Sequence, residues 1–235
     1  MVTKKGGNII HLHNVTKYYS MGDAVVKAVD GIDIDVKKGS FVAIMGPSGS
    51  GKSTTMNLVG SLDMPTKGHI FLDGIDISLM DESDLAQLRG KKIGFIFQQF
   101  NLIPTLTVRE NIALPMSLQG YDEFERNDKT DEILKKLELL ERAGHYPNQI
   151  SGGQQQRVAI GRALANDPEV ILADEPTGNL DTHTGEKVMD VLKKLNSEGK
   201  TIVMVTHDPD LAKEYADVVY WLRDGKIENV TRRKK

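Results

Sequence analysis

Gly46-Pro47-Ser48-Gly49-Ser50-Gly51-Lys52-Ser53 is a phosphate-binding pattern. Its glycines let the backbone approach a phosphate and turn several N–H groups toward it, and a following helix adds the positive end of its dipole. Lys52 is placed to neutralise β- and γ-phosphates and the Ser53 hydroxyl to ligate Mg2+. About a hundred residues further on, Ser151-Gly152-Gly153-Gln154-Gln155 opens a second helix with Ser151 at its N-cap. One triphosphate needs one phosphate loop. The second turn therefore has to serve another nucleotide, or the same nucleotide from another molecule. A third feature is the apolar run 170–173 ending in Asp174-Glu175. At a strand's C-terminal end such carboxylates reach the ligand crevice, where Asp174 suits the surroundings of Mg2+ and Glu175 could polarise an attacking water.

The apolar patterns say which elements must hold these groups. Residues 9–15, 32–36 and 41–45 alternate or run apolar between turn residues, as strands do. Residues 53–62 predict a helix ending before Pro65, and 69–77 a hairpin around Asp73-Gly74. A short helix is expected at 83–88 and a buried strand at 93–97. From 107 to about 140 the spacing becomes helical, with Leu114, Leu118, Ile133, Leu134 and Leu137 spaced for packing. No glycine-rich linker marks this block off, so it reads as a helical insertion. Next come a helix from Ser151 to about 165, strand 170–173, amphipathic helix 186–195, strand 201–206, helix 211–216 and a hairpin over 218–227 around Asp224-Gly225. This order implies a parallel α/β sheet interrupted by a helical lobe.

Composition bounds the rest. The 235 residues allow one large domain or two lobes, and a net charge of −3 gives no electrostatic case for nucleic acid. The absence of cysteine excludes disulfides and thiolate metal sites and fits a reducing compartment. Apolar runs such as 202–205 are far shorter than the roughly 20 residues a spanning helix takes. Residues 1–8 lack the apolar stretch of a signal peptide. The expectation is a soluble protein whose membrane role runs through a partner. The end Arg232-Arg233-Lys234-Lys235 reads as a solvated tail, with contact to anionic lipid as the other reading.

Taken in order, these residues resemble an ATP-binding-cassette ATPase, the nucleotide-binding subunit of an ABC transporter, over residues 8–230. The resemblance rests on the phosphate loop, Gln98 after a strand, Ser151-Gly152-Gly153-Gln154, Asp174-Glu175, the Asn179-Leu180-Asp181 turn and His207 after a strand. Ile150 stands where the family's signature usually opens with leucine, an apolar-for-apolar change. The resemblance implies a RecA-like P-loop NTPase core with a parallel sheet, an N-terminal antiparallel β subdomain and an inserted α-helical subdomain. The expected division is a core of 1–98 and 166–235 and a helical signature lobe of 99–165. It implies ATP and Mg2+ as ligands, with Tyr19, Gly46, Pro47, Ser48, Gly49, Ser50, Gly51, Lys52, Ser53 and Thr54 on ATP. Ser53, Gln98 and Asp174 would attend the metal, and Glu175, His207, Lys52 and Gln98 the chemistry. Spacing from the phosphate loop favours Tyr19 over Tyr18 as the adenine-stacking aromatic, and Gln99 rivals Gln98 only by adjacency.

The family's answer to the spare glycine turn is a head-to-tail homodimer. Ser151, Gly152, Gly153 and Gln154 then contact the γ-phosphate held by the other subunit, with Asp181 near that interface. Residues 97–107 and 146–150 resemble the lipoprotein-release, macrolide-export and cell-division group, whose members pair with a separate permease. The implied place is the cytoplasmic face of the membrane, bound through that permease. The alternative is a non-transport ABC ATPase acting in translation or DNA repair, but the paired cassettes or long coiled-coil insertions usual there are missing. A GTPase switch would show a guanine-reading Asn-Lys-x-Asp, which does not occur.

Overall fold

The structure, a computed structural model, describes residues 7–22 and 24–233. The chain divides into two units, Met1–Ala86 with Asn196–Lys235, and Gln87–Leu195.

The first unit opens with a long hairpin of β1 (Asn8–Met21) and β2 (Ala24–Lys37). Both strands run well past 9–15 and 32–36. Val25 is 60% exposed and Val26 45%, so the outer half of the hairpin buries no apolar face. Without that burial it carries little of the alternation by which a strand is recognised. Shifts in register around Val15 and Lys17 break the pattern further. β4 (Lys67–Leu72) and β5 (Ile75–Asp76) complete an antiparallel sheet of order β2-β1-β4-β5. Their turn has Asp73 at φ +49° and Gly74 at φ +76°, the hairpin geometry expected of that pair.

β3 (Phe41–Met45) is buried throughout and pairs in parallel with β8 (Thr201–Val205) and β9 (Val218–Arg223). Burial on both faces explains its unbroken apolar run. β10 (Lys226–Arg232) returns antiparallel to β9 across Asp224-Gly225. The basic end is therefore not all free tail. Arg232 belongs to β10, and Arg233 donates its N–H to Asp217 O (2.8 Å) and a guanidinium N–H to Glu214 O (3.1 Å). Lys234 and Lys235 lie outside the described residues. α1 (Lys52–Val59) stops short of residue 62 at Gly60 and Ser61, the latter at φ +57°. α7 (Pro209–Tyr215) starts behind Asp208, whose carboxylate accepts from Asp210 N and Leu211 N.

α2 (Glu82–Lys92) carries the chain across the division. In the second unit β6 (Ile93–Ile96) and β7 (Val170–Asp174) pair in parallel. Four helices accompany them: α3 (Val108–Leu118), α4 (Glu123–Lys136), α5 (Gly152–Leu164) and α6 (Thr182–Ser197). α3 buries Val108, Ile112 and Met116, one face at i, i+4, i+8. Leu118, expected to pack, is 79% exposed, because it sits off that stripe at the last residue of the helix. Buried Asn111 accepts from Ile103 N (2.8 Å) and donates to the carbonyls of Ile103, Leu106 and Thr107, which pins the segment following Gln98. No helix among the described residues is long and apolar enough to cross a membrane.

β6 and α5 meet at Gly94, where a Cβ would lie 2.2 Å from Ala163 O and 3.1 Å from Pro168 Cγ. Gly94→Ala is expected to destabilise the protein by about 1–3 kcal/mol, since backbone cannot move aside as a side-chain tip can. Thermal unfolding should register a midpoint several degrees lower, roughly 2–4 °C per kcal/mol for a chain of this size. An unchanged midpoint would refute the packing argument.

Candidate active site

The phosphate loop links β3 to α1. A Cβ at Gly46 would lie 2.2 Å from Leu222 O and 2.5 Å from Ser50 Oγ, so no side chain fits there. Gly51 is the N-cap of α1 at φ +98°, and a Cβ on it would lie 2.3 Å from Ala28 O. Only glycine satisfies both the left-handed backbone and that approach. As a bare N-cap it supplies no side-chain acceptor to the first N–H groups of α1, an arrangement that an anion completes. The loop is braced from behind, since Gly225 N donates to Ser50 O (3.1 Å) and Asp30 N to Gly225 O (2.8 Å).

Lys52 Nζ donates to Gly46 O (2.8 Å) and Pro47 O (2.9 Å), which holds the ammonium inside the loop at 9% exposure. Two of its three donors are engaged and one remains for a ligand. The Ser50 hydroxyl is buried without a hydrogen-bond partner among the described residues. A buried orphan donor beside a bare helix start and a caged ammonium fits a phosphate-bearing ligand. Ser53 and Thr54 follow on the first turn of α1. His207 is exposed one residue beyond Thr206, whose N–H donates to Ile44 O (3.2 Å), two residues before Gly46. The backbone thus brings His207 to the same end of β3 as the loop.

The structure separates the two candidate aromatics. The Tyr18 hydroxyl donates to Asp30 (2.5 Å), on β2. The Tyr19 hydroxyl donates to Asp63 Oδ2 (2.7 Å), beyond the end of α1. Partial burial, then the Asp63 bond, raise the Tyr19 pKa, so the phenol remains a donor at neutral pH. Burial pushes the Asp63 carboxyl up, but bonds from Lys17, Tyr19 and the Met64 N–H outweigh it and leave it below the usual range.

In the second unit Asp174 ends β7, half-buried, and Glu175 follows at φ +42°. That left-handed backbone costs a non-glycine residue about 1–3 kcal/mol and turns the chain sharply out of the strand. The turn closes through Gly178 N donating to Glu175 O (2.9 Å). A Cβ at Gly178 would lie 3.0 Å from Gln98 Nε2 and 3.4 Å from Glu175 Oε2, so the Gln98 amide and the Glu175 carboxylate border one glycine. Asn179 Nδ2 donates to Gln98 O (2.8 Å), which ties the end of the β6 segment to the turn after β7.

The signature turn is preorganised by a reciprocal cap. Gln154 N donates to Ser151 Oγ (3.3 Å) and Ser151 N to Gln154 Oε1 (2.9 Å). A Cβ at Gly152 would sit in ordinary contact with Leu180 Cδ2 (3.8 Å) and Phe100 Cζ (3.9 Å), whereas one at Gly153 would lie 2.4 Å from Thr184 Cγ2. Thr184 is fixed by donating Oγ1–H to Asp181 Oδ2 (2.6 Å) and N–H to Asp181 Oδ1 (3.0 Å). These bonds, the hydroxyl's first, hold the Asp181 carboxyl below its usual range. Ser151, Gly153, Gln154, Arg157, Thr184 and Lys187 line a pocket of about 200 Å³ at this start of α5.

Three supporting residues escape a sequence reading. Buried Gln156 donates Nε2–H to Pro176 O (2.8 Å), linking the signature helix to the residue after Glu175. Within Gln154-Gln155-Gln156 nothing but burial distinguishes it. Lys17 and Asp63 are ordinary charges until the fold places them on Tyr19.

The ABC transporter family matches residues 29–178 of this chain, more than half its length. The chain belongs to the ABC transporter family. As an ABC transporter ATP-binding protein it is 53% identical over 225 residues to the uncharacterized ABC transporter ATP-binding protein MJ0796 of Methanocaldococcus jannaschii, covering 94% of this chain and 95% of that one. The macrolide export ATP-binding/permease protein MacB of Brucella melitensis is 47% identical over 222 residues. The match covers 94% of this chain but only 34% of MacB. A dimeric structure of a post-hydrolysis state of the MJ0796 cassette, bound to ADP and Pi, superposes with a TM-score of 0.89 at 49% identity, covering 96% of this chain and 99% of that one. The expected α/β P-loop fold with an antiparallel β subdomain is thereby established.

Proposed function

We propose that two copies of this ABC ATP-binding protein close head-to-tail around two ATP molecules, hydrolyse them, and thereby drive a separate membrane permease. The observation that carries this reading is the second glycine turn. Ser151–Gln154 is capped and backed on Thr184, yet the phosphate loop already has its own cradle, ammonium and orphan hydroxyl. The dimeric MJ0796 cassette with ADP and Pi supports two such molecules meeting over nucleotide. ATP binding to the closed pair alone would shift the population toward closure, which turns ligand binding into motion.

In this mechanism the loop N–H groups and the Ser50 hydroxyl bind phosphate oxygens and Lys52 neutralises their charge. Ser53, Asp174 and Gln98 would offer the oxygen donors that Mg2+ prefers, and the ion would supply positive charge to offset that of the phosphates. Glu175 orients and polarises the attacking water, Gln98 holds its position beside it, and His207 hydrogen-bonds the γ-phosphate. The partner's Ser151, Gly152, Gly153 and Gln154 complete the site, with Asp181 near the interface. Residues 99–165 act as the lobe that carries the signature to the other subunit. Similarity to MacB favours export or extraction from the membrane, with this subunit on the cytoplasmic face and held there by the permease.

Phosphate release from ATP by the purified protein tests the reading. Turnover should require Mg2+, stop with EDTA and return when the metal is restored. Tyr19→Ala should weaken ATP binding by roughly 1–3 kcal/mol, the scale of base–aromatic stacking. If Tyr18→Ala is the damaging change and Tyr19→Ala is silent in a titration, the wrong aromatic has been assigned.

A further inference from the structure

Two charged side chains converge on Tyr19, Lys17 from the same strand and Asp63 from beyond α1. Asp63, beyond the end of α1, accepts the phenol proton at 2.7 Å through Oδ2. Its other oxygen takes Lys17 Nζ at 2.5 Å, and the same ammonium donates to Met64 O at 2.9 Å. That ammonium lies over the Tyr19 ring, 5.1 Å from its centroid. The Lys17 and Asp63 side chains are 15% and 25% exposed, so this is a half-buried, multiply bonded unit rather than a loose surface pair. Tyr19 as a residue remains 37% exposed.

We infer that Lys17 and Asp63 are positioning residues for the nucleotide base: they lock the Tyr19 ring at a fixed angle to the phosphate loop, with one face taken by Lys17 and the other left to stack the base. The physical reasons are two. A tyrosine on an exposed hairpin would otherwise lose rotamer freedom when a base stacked on it, and pre-ordering removes that loss from binding. A cation on one face also leaves a single productive face, so the base meets the ring in one orientation. Stacking reads a π-face rather than base edges, so the device selects a nucleoside over bare phosphate chains and discriminates weakly between adenine and guanine.

This inference rests on Tyr19 being the base platform, and the experiment separates the two claims. The probes are ATP, and inorganic tripolyphosphate as a triphosphate without a base, titrated calorimetrically against Tyr19→Ala, Asp63→Ala, Asp63→Asn, Lys17→Met and the pair Tyr19→Ala/Asp63→Ala. Asp63→Ala should weaken ATP about five- to ten-fold, part of the full stacking contribution, while tripolyphosphate affinity and kcat at saturating ATP stay within about two-fold. Asp63→Asn keeps an acceptor for the phenol but loses the charge that holds Lys17, so its loss should be smaller, with Lys17→Met similar to it. In the Tyr19→Ala background, Asp63→Ala should have no further effect, the coupling expected of residues acting through one ring. Equal weakening of ATP and tripolyphosphate by Asp63→Ala, or an undiminished effect without Tyr19, would overturn the positioning role. If Tyr19→Ala leaves the ratio of ATP to tripolyphosphate affinity unchanged, the base-platform reading itself fails and the clamp with it.

Discussion

Glu175→Gln is expected to keep ATP affinity and to lose turnover by about two to four orders of magnitude, the range for removing a positioned general base. The amide is nearly isosteric, so the left-handed turn at Glu175 and its closure by Gly178 should survive. An amide cannot take a proton or polarise water as a carboxylate does. A second consequence follows from the closed-state logic: with hydrolysis blocked, nothing opens the pair, so ATP should trap a dimer. Gel filtration with ATP should show the variant eluting at twice the parent's monomeric mass. A variant hydrolysing ATP within a few-fold of the parent would remove Glu175 from catalysis.

Mixing two defective proteins should restore activity, because each site is proposed to join one copy's Glu175 to the other's signature turn. The partner for Glu175→Gln needs to damage the signature without unfolding it. Gly153 is unsuited, since any side chain there displaces Thr184 and with it the cap on Asp181. Ser151→Asp is preferable: aspartate caps a helix as well as serine, so α5 should start normally. Its carboxylate would then oppose the γ-phosphate of the other subunit. In a mixed dimer one site carries both defects and the other carries neither. Half of the dimers in an equal mixture are mixed, which predicts about a quarter of parent activity if the sites are independent. Were each site to use its own chain's signature, both would be damaged and mixing would add nothing. Parent activity should also rise faster than linearly with enzyme at low concentration. Additive mixing, linear dependence and a monomer under ATP by sedimentation would together sink the dimer.

The chemistry of this protein was legible because its motifs are local. A phosphate loop is a strand, a run of glycines and a helix start within a dozen residues, so its pattern is readable along the chain, although the approaches of Leu222 O to Gly46 and of Ala28 O to Gly51 are made only by the fold. The turns at Asp73-Gly74 and Asp224-Gly225 were readable for the same reason, as left-handed residues declare themselves by type. The helix start at Ser151 follows from a cap that spans only three residues.

Features that depend on distant pairs were not legible. The outer hairpin runs to Met21 and Ala24 because the strands pair, while Val25 and Val26 lie exposed and leave no buried apolar alternation to read. Leu118 has the type of a packing residue and lies exposed, because only the neighbours of α3 decide which stripe of the helix is covered. The basic end looked free, yet Arg233 is bonded to Asp217 and Glu214. Gln156 is one of three identical residues in a row and became a link to Pro176 only by facing inward. Spacing in the sequence favours Tyr19 over Tyr18, but its bond to Asp63, 44 positions away, is a product of the fold. The sequence alone determined the family and its ATPase chemistry, since the motifs that carry them are short turns whose residue types are read along the chain. Tertiary structure decided what holds them in place, because a hydrogen bond across forty residues leaves no period or spacing in the chain.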